Sequence, residues 1–209
     1  GATGPILHDT TSGTTGTPLR LAVTRDAVRR WYALYEARAR RWYGVGRHDR
    51  WAILGGKMVA RVGRSRPPHW VWSPPLHQLY LAANCLREES VGPMVRALRR
   101  FAPTHLVGYP SSLAYLARSA SDARLTPPTL SVVIGNAEPL DPAQRQDIEA
   151  FFGCPARETY GMAEMLLGAT ECEAGALHAW PEAGAVEVVD DEDRPVPSGT
   201  TGRLVVTGL

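Results

Sequence analysis

Two stretches constrain the fold of this chain more than any other: HLVGYPSSLAYLARSA, beginning at His105, and TLSVVIGNAEPLDPAQRQDIEAFF, beginning at Thr129. Each reads as a short apolar strand, a turn of small residues and a helix. In the first, Ser111 or Ser112 is the expected helix cap. In the second, Leu130 to Ile134 is the strand, Gly135 and Asn136 make the turn, and Asp141 with Pro142 opens a helix to Phe152. ARETYG, Ala156 to Gly161, adds one more strand ending in a turn. Strands alternating with helices at this spacing imply an α/β fold of layers with a mostly parallel sheet.

The flanking segments fit the same scheme. Thr24 is a helix cap for a run to about Tyr43, with Val28, Trp31, Leu34, Tyr35 and Trp42 on one stripe. Trp51 to Leu54 reads as a strand before a glycine turn, and Glu89 to Phe101 as a helix through Val91, Met94, Val95 and Leu98. The proline-rich residues 63–77 read as a long surface loop. GAVEVVD and GRLVVTGL, joined by an acidic, proline-bearing segment at 190–201, read as a small antiparallel β-element. Residues 1–180 are thus expected to form the α/β core, with 181–209 starting a small β-subdomain. The chain ends on a strand and begins one turn before a glycine-rich loop, which is the pattern expected of a fragment.

Composition removes several function classes. With 44% hydrophobic and 21% charged residues, the 209-residue chain is typical of a folded domain. No window has the apolar length of a membrane span, and the start has no basic-then-apolar leader, so a cytoplasmic location and no membrane partner are expected. Cys85, Cys154 and Cys172 are too few and too scattered for a disulfide framework. Cys172 with His178, a C-x₅-H pair, gives no strong zinc signature. Arginines crowd the first third, interleaved with Trp31, Tyr32, Tyr35, Trp42 and Tyr43. A helix with an aromatic core stripe and a wet arginine face explains them better than a nucleic-acid surface does.

The chemistry-bearing candidates cluster in a few places. TSGTTGTP has neither the Gly-Lys-Ser/Thr of a P-loop nor a dinucleotide spacing. Gly13 and Gly16 would still let backbone N–H groups turn inward, and Thr11, Ser12, Thr14 and Thr15 would add hydroxyls. On composition alone a flexible surface loop fits as well as a phosphate cradle. Glu138 and Glu164 each follow an apolar strand, where ligands gather in parallel sheets, and either carboxylate suits Mg²⁺ or plain solvation. His8 beside Asp9 fits a substrate contact or ordinary surface, and His105, within a strand, fits a structural role. Ser111-Ser112 lacks the context of a hydrolase nucleophile.

Taken in order along the chain, these pieces resemble the adenylate-forming, AMP-binding superfamily of acyl-CoA ligases, in particular the phenylacetate-CoA ligase branch and its capsule-biosynthesis relatives. TTSGTTGTP at 10–18 is similar to the phosphate loop. ILGGKMV at 53–59, PPLHQLYL at 74–81 and LVGYPSSLAYLA at 106–117 are similar to signatures of the capsule-type branch. IGNAEPL at 134–140, ETYGMAE at 158–164 and GRLVVTGL at 202–209 complete the set.

The resemblance implies an incomplete adenylation domain, ATP with Mg²⁺, a small carboxylic acid substrate, and coenzyme A or a carrier-protein thiol as acceptor. It implies that Thr11, Ser12, Gly13, Thr14, Thr15 and Gly16 embrace the β- and γ-phosphates. Gly135, Asn136, Ala137, Glu138 and Pro139 would line the adenine and acyl side, and Tyr160 with Gly161 would pack at adenine. Glu164 would hold Mg²⁺ as the catalytic carboxylate, and Tyr109, Pro110 and Ser111 would wall the acid pocket. Two departures count against full activity. Ala163 stands where the family offers a Thr or Ser hydroxyl, and the C-terminal domain with its catalytic lysine is absent. A nucleotide-binding relative without turnover, acting as a partner subunit, is the alternative these departures motivate.

Overall fold

The computed structural model describes residues 6–10, 16–60 and 66–208. Among them, strands β1 (Ile6–Thr10) and β2 (Arg20–Thr24) pair antiparallel. Thr24 then caps helix α1 (Arg25–Tyr35), its hydroxyl accepting the Ala27 N–H at 3.2 Å. The helix does not run unbroken to Tyr43. It widens into a π-helical turn at Glu36–Arg40, tightens into a 3₁₀ turn at Arg41–Tyr43, and stops at Gly44 in the left-handed region. A tertiary contact accompanies the change: the Glu36 carboxylate accepts the Arg47 N–H and pairs with Arg40 and Arg41.

The remaining strands build an eight-stranded mixed sheet. They are β3 (Trp51–Gly55), β4 (Trp70–Ser73), β5 (Gln78–Ala82), β6 (His105–Gly108), β7 (Val132–Gly135), β8 (Ala156–Gly161), β9 (Gly168–Glu171) and β10 (Leu177–Ala179). Their spatial order is β10-β9-β8-β7-β6-β3-β5-β4. The five central strands, β8 to β5, run parallel; β4 on one edge and β9 on the other pair with them antiparallel, and β10 pairs antiparallel with β9. Helices α2 (Glu88–Phe101), α3 (Pro110–Asp122) and α4 (Pro142–Phe152) complete the layers. A separate antiparallel hairpin, β11 (Gly184–Val189) and β12 (Arg203–Gly208), follows.

The stretch at 63–77 is a correction to the sequence reading. Within its described part, Trp70–Ser73 is an edge strand and Pro74–Leu76 a 3₁₀ turn. An edge strand bonds on one side only, so it tolerates the flanking prolines that made the segment read as a loop.

Both faces of the central sheet are covered, as expected for parallel strands. Ala52, Leu54, Leu106 and Val133 point into a core shared with Met94, Val95 and Leu98 of α2, Leu113 and Leu116 of α3, and Ile148 and Phe152 of α4. The alternate residues Val107, Val132 and Ile134 join Val45, Tyr43, Trp51 and Ile53 on the other face. Each fully buried Leu or Ile contributes about 1.5–3 kcal/mol. A one-residue slip of β6 or β7 would exchange the two faces, so the register is strongly held.

Candidate functional site

Strands β6, β7 and β8 are parallel neighbours, and their carboxyl ends lie on one edge of the sheet. Gly108 pairs with Gly135, and Gly135 with Glu158. The strand ends are glycines because the neighbouring strand β3 and helix α3 come in close. A Cβ on Gly108 would lie 2.8 Å from the Leu54 carbonyl, and one on Gly135 3.0 Å from the Pro110 ring. The loops leaving this edge carry three groups of the sequence-derived residues: Tyr109-Pro110-Ser111, Gly135 to Pro139, and Tyr160-Gly161 with Glu164.

The first two groups are tied together. The Asn136 N–H donates to the Gly108 carbonyl at 3.0 Å, and the Thr159 hydroxyl donates to the Gly135 carbonyl at 2.9 Å. Ala137 sits at φ +63°, a left-handed conformation uncommon for a residue with a side chain. That turn brings Glu138 back to α3, where its Oε2 accepts the Ser111 N–H at 3.1 Å. The expected cap at Ser111 or Ser112 is therefore corrected. Tyr109 takes the cap position without a side-chain bond, Pro110 opens the helix, and Glu138 satisfies the exposed N–H from another loop. A carboxylate there also meets the positive end of the helix dipole.

The third group lies at the end of β8. Tyr160 is 44% exposed. Gly161 lies against Trp31, where a Cβ would come within 3.2 Å of the indole. Residues 162–165 form a turn, with the Met165 N–H donating to the Met162 carbonyl at 3.1 Å and Met165 at φ +59°. Ala163 is exposed and Glu164 half-buried.

Among the described residues no hydrogen bond or ion pair engages Glu164, and no three His, Cys, Asp or Glu side chains gather as a metal cage. A lone open carboxylate fits Mg²⁺ that arrives on nucleotide phosphates and keeps its waters. It does not fit a metal held by protein ligands alone.

Thr11, Ser12, Gly13, Thr14 and Thr15 lie outside the described residues. Their neighbours are described: β1 and β2 flank the loop, and Gly16 is exposed with nothing within 4 Å of an added Cβ. His8 sits on β1 opposite Ala22 and is exposed. His105 is fully buried in β6. Tyr80 on β5 carries no assignment from the sequence, yet its hydroxyl accepts the Lys57 N–H at 2.8 Å at the same carboxyl edge. A tyrosine two residues after a polar strand start is too ordinary a pattern to have signalled it.

Comparison with known proteins identifies the family and the fold. Residues 6–209 match the AMP-binding enzyme family, and the chain belongs to it. It is 27% identical over 168 residues to protein CapK of Staphylococcus aureus, covering 80% of this chain and 36% of CapK. It is 30% identical over 76 residues to the crotonobetaine/carnitine–CoA ligase of Salmonella heidelberg, covering 34% of this chain and 15% of that protein. The chain thus spans about a third or less of the length of these curated relatives.

Among solved structures, the fold resembles an open 2-hydroxyisobutyryl-CoA ligase in complex with 2-HIB-AMP and CoA. The TM-score is 0.69 at 22% identity, over 97% of this chain and 47% of that one. It also resembles the anthranilate CoA ligase AuaEII in complex with anthranoyl-AMP, with a TM-score of 0.68 at 17% identity over 96% and 39%. Among the described residues no helix is long and apolar enough to cross a membrane.

Proposed function

We propose that the protein carrying this chain activates a carboxylic acid with Mg-ATP. The acid's carboxylate attacks the α-phosphorus, pyrophosphate leaves, and an acyl-adenylate remains. A thiol, of coenzyme A or of a carrier protein, then takes the acyl group and releases AMP. The observation that carries this reading is the meeting of three loops at the carboxyl ends of β6, β7 and β8, the edge where parallel sheets hold ligands. Family membership and the acyl-AMP and CoA complexes of the structural neighbours support it.

On this reading Thr11 to Gly16 cradle the β- and γ-phosphates, Gly135 to Pro139 with Tyr160 and Gly161 hold the adenine and acyl side, and Tyr109, Pro110 and Ser111 wall the acid pocket. Glu164 would hold Mg²⁺, which neutralises phosphate charge when bound. Residues 1–180 would serve as the nucleotide-binding core. Neutral donors around a triphosphate can stabilise the charge that develops in the transition state.

The test is carboxylate-dependent exchange of labelled pyrophosphate into ATP by the full-length protein. Gly13→Val and Gly16→Val should each lower exchange by about 10²-fold or more, the scale of losing a transition-state donor. Normal exchange in both variants would falsify the loop assignment. Mg-ATP binding without exchange for any acid would point instead to a nucleotide-binding relative that lacks turnover, the reading Ala163 favours.

A further inference from the structure

Three sequence signatures, ILGGKMV, PPLHQLYL and LVGYPSSLAYLA, meet at one strand end. Strand β3 lies between β5 and β6 and runs parallel to both. Ile53 is in register with Tyr80, so Tyr80 and Gly55, two residues beyond Ile53, share a face of the sheet. The Tyr80 ring reaches along that face to the end of β3. A Cβ on Gly55 would lie 2.3 Å from the Tyr80 hydroxyl oxygen, and one on Gly56 3.1 Å from that of Tyr109. The two glycines therefore leave the room that the two phenols fill.

The hydrogen bonding decides what these phenols can still do. The Tyr80 oxygen already accepts the Lys57 N–H at 2.8 Å, so its own proton remains to be donated. Among the described residues, no acceptor meets that proton or the Tyr109 hydroxyl. Burial raises the Tyr80 pKa, which keeps the donor protonated at neutral pH. Lys57 itself, the sole lysine of the chain, is exposed and forms no ion pair among the described residues. Tyr109 also begins the proposed wall of the acid pocket. Two unused donors thus stand beside that wall at the ligand edge of the sheet.

We propose that the Tyr80 and Tyr109 hydroxyls select a carboxylic acid bearing an oxygen acceptor, a hydroxyl, ether or carbonyl, over the hydrocarbon acid of the same length. The inference rests on the acid-activation reading and adds the substrate class. A purely structural role for Tyr80, holding the Gly55-Gly56-Lys57 turn, would use only its acceptor side and would not distinguish between acids.

The experiment is pyrophosphate exchange by the full-length protein with aromatic and aliphatic acids in pairs that differ by one oxygen. Benzoate with 4-hydroxybenzoate and hexanoate with 6-hydroxyhexanoate are two such pairs. The oxygenated member should be favoured by about tenfold or more in kcat/KM, since a site built to hydrogen-bond a group discriminates against the analogue lacking it. Tyr80→Phe and, independently, Tyr109→Phe should each shrink that ratio severalfold. Exchange without a preference, or an equal loss for both members of each pair, would overturn this inference and leave acid activation standing. Absence of exchange with every acid would overturn both.

Discussion

His105 carries an acid limit to stability in a single nitrogen. It is fully buried and stacked on Trp51, with ring centroids 5.8 Å apart and planes 6° from parallel. The Thr104 hydroxyl donates to the Arg50 carbonyl at 3.1 Å, so it accepts from His105 Nδ1–H at 2.9 Å. This tautomer leaves Nε2 unprotonated, buried and without a partner among the described residues. Protonation would place an N–H there with nothing to accept it. Burial first, and Arg40 second, push the His105 pKa down from 6.5 to about 4, against the weaker opposing pull of Asp49 and Glu36. The unfolded chain therefore binds the proton first. Stability from this group is whole above about pH 6.5 and falls as pH drops toward 4, by about 3 kcal/mol in all. Urea midpoints across that window should decline more steeply in the native protein than in His105→Gln, and parallel curves would refute the assignment. Glu138 makes a second prediction at this scale. Glu138→Ala strips the Ser111 N–H of its acceptor and should cost about 1 kcal/mol in thermal unfolding, like the loss of a helix cap. Glu138→Gln keeps an acceptor oxygen and should recover most of that loss.

Among the elements, the added edge of the sheet depends on one indole. Trp180 is 2% exposed, and its Nε1–H donates to the Thr170 hydroxyl at 2.9 Å. Its ring meets Trp31 at 5.1 Å and Tyr35 at 6.3 Å, so β9 and α1 close on the same side chain. Gly168 makes this contact feasible, since a Cβ there would lie 2.2 Å from the indole. Gly168→Ala should destabilise by about 2–3 kcal/mol, the upper range for overpacking. Trp180→Phe in the same chain should cancel part of that cost in a double-mutant cycle, and strict additivity would argue against a shared contact. The same region shows why some elements were legible in the sequence and others were not. Strand β7 and helix α4 announce themselves locally, by an apolar run and by Asp141, whose Oδ1 accepts the Gln144 N–H at 2.9 Å. The polar and alanine-rich β9 and β10 have no such pattern and exist as strands because β8 offers β9 an edge and β9 in turn offers one to β10. The cap of α3 and the break after α1 were misread for the same reason. Glu138 and the Arg47 N–H act from segments distant in sequence. In the candidate site, the order of the loops could be read along the chain. Tyr80 could not, because its meaning depends on β3 standing between β5 and β6.

Across the whole molecule, stability and the proposed chemistry fall in different places, and two glutamates only a turn and a strand apart test the division. Glu164 lies at the carboxyl edge beyond β8, half-buried and unpaired among the described residues. Glu171 ends β9 with its side chain 4% exposed, and Arg145 of α4 meets both its oxygens, at 2.9 and 3.0 Å. The same carboxylate accepts the Glu158 N–H at 2.7 Å, and the Glu171 carbonyl accepts the Tyr43 hydroxyl at 2.8 Å. One residue thereby joins α4, β8, β9 and the turn after α1. Glu171→Ala leaves the Glu158 N–H without its acceptor and the Arg145 guanidinium with only the Ala156 carbonyl among the described residues. It should cost about 3–5 kcal/mol, the price of breaking a buried pair on one side. For a chain of this size that is a fall of about 6–20 °C in Tm. Glu164→Ala removes no hydrogen bond or ion pair among the described residues and should leave Tm within about 1–2 °C, since substitutions away from such contacts change stability by about 0.5 kcal/mol. Its effect should appear in pyrophosphate exchange, which should fall by about 10²-fold and show a higher Mg²⁺ requirement. Calorimetry and exchange on the two variants together decide the matter. If Glu164→Ala unfolds early while exchange per folded molecule is unchanged, the carboxyl edge is scaffold and the site lies elsewhere. If Glu171→Ala alone loses stability and Glu164→Ala alone loses exchange, the sheet's interior holds the fold and its carboxyl edge holds the chemistry.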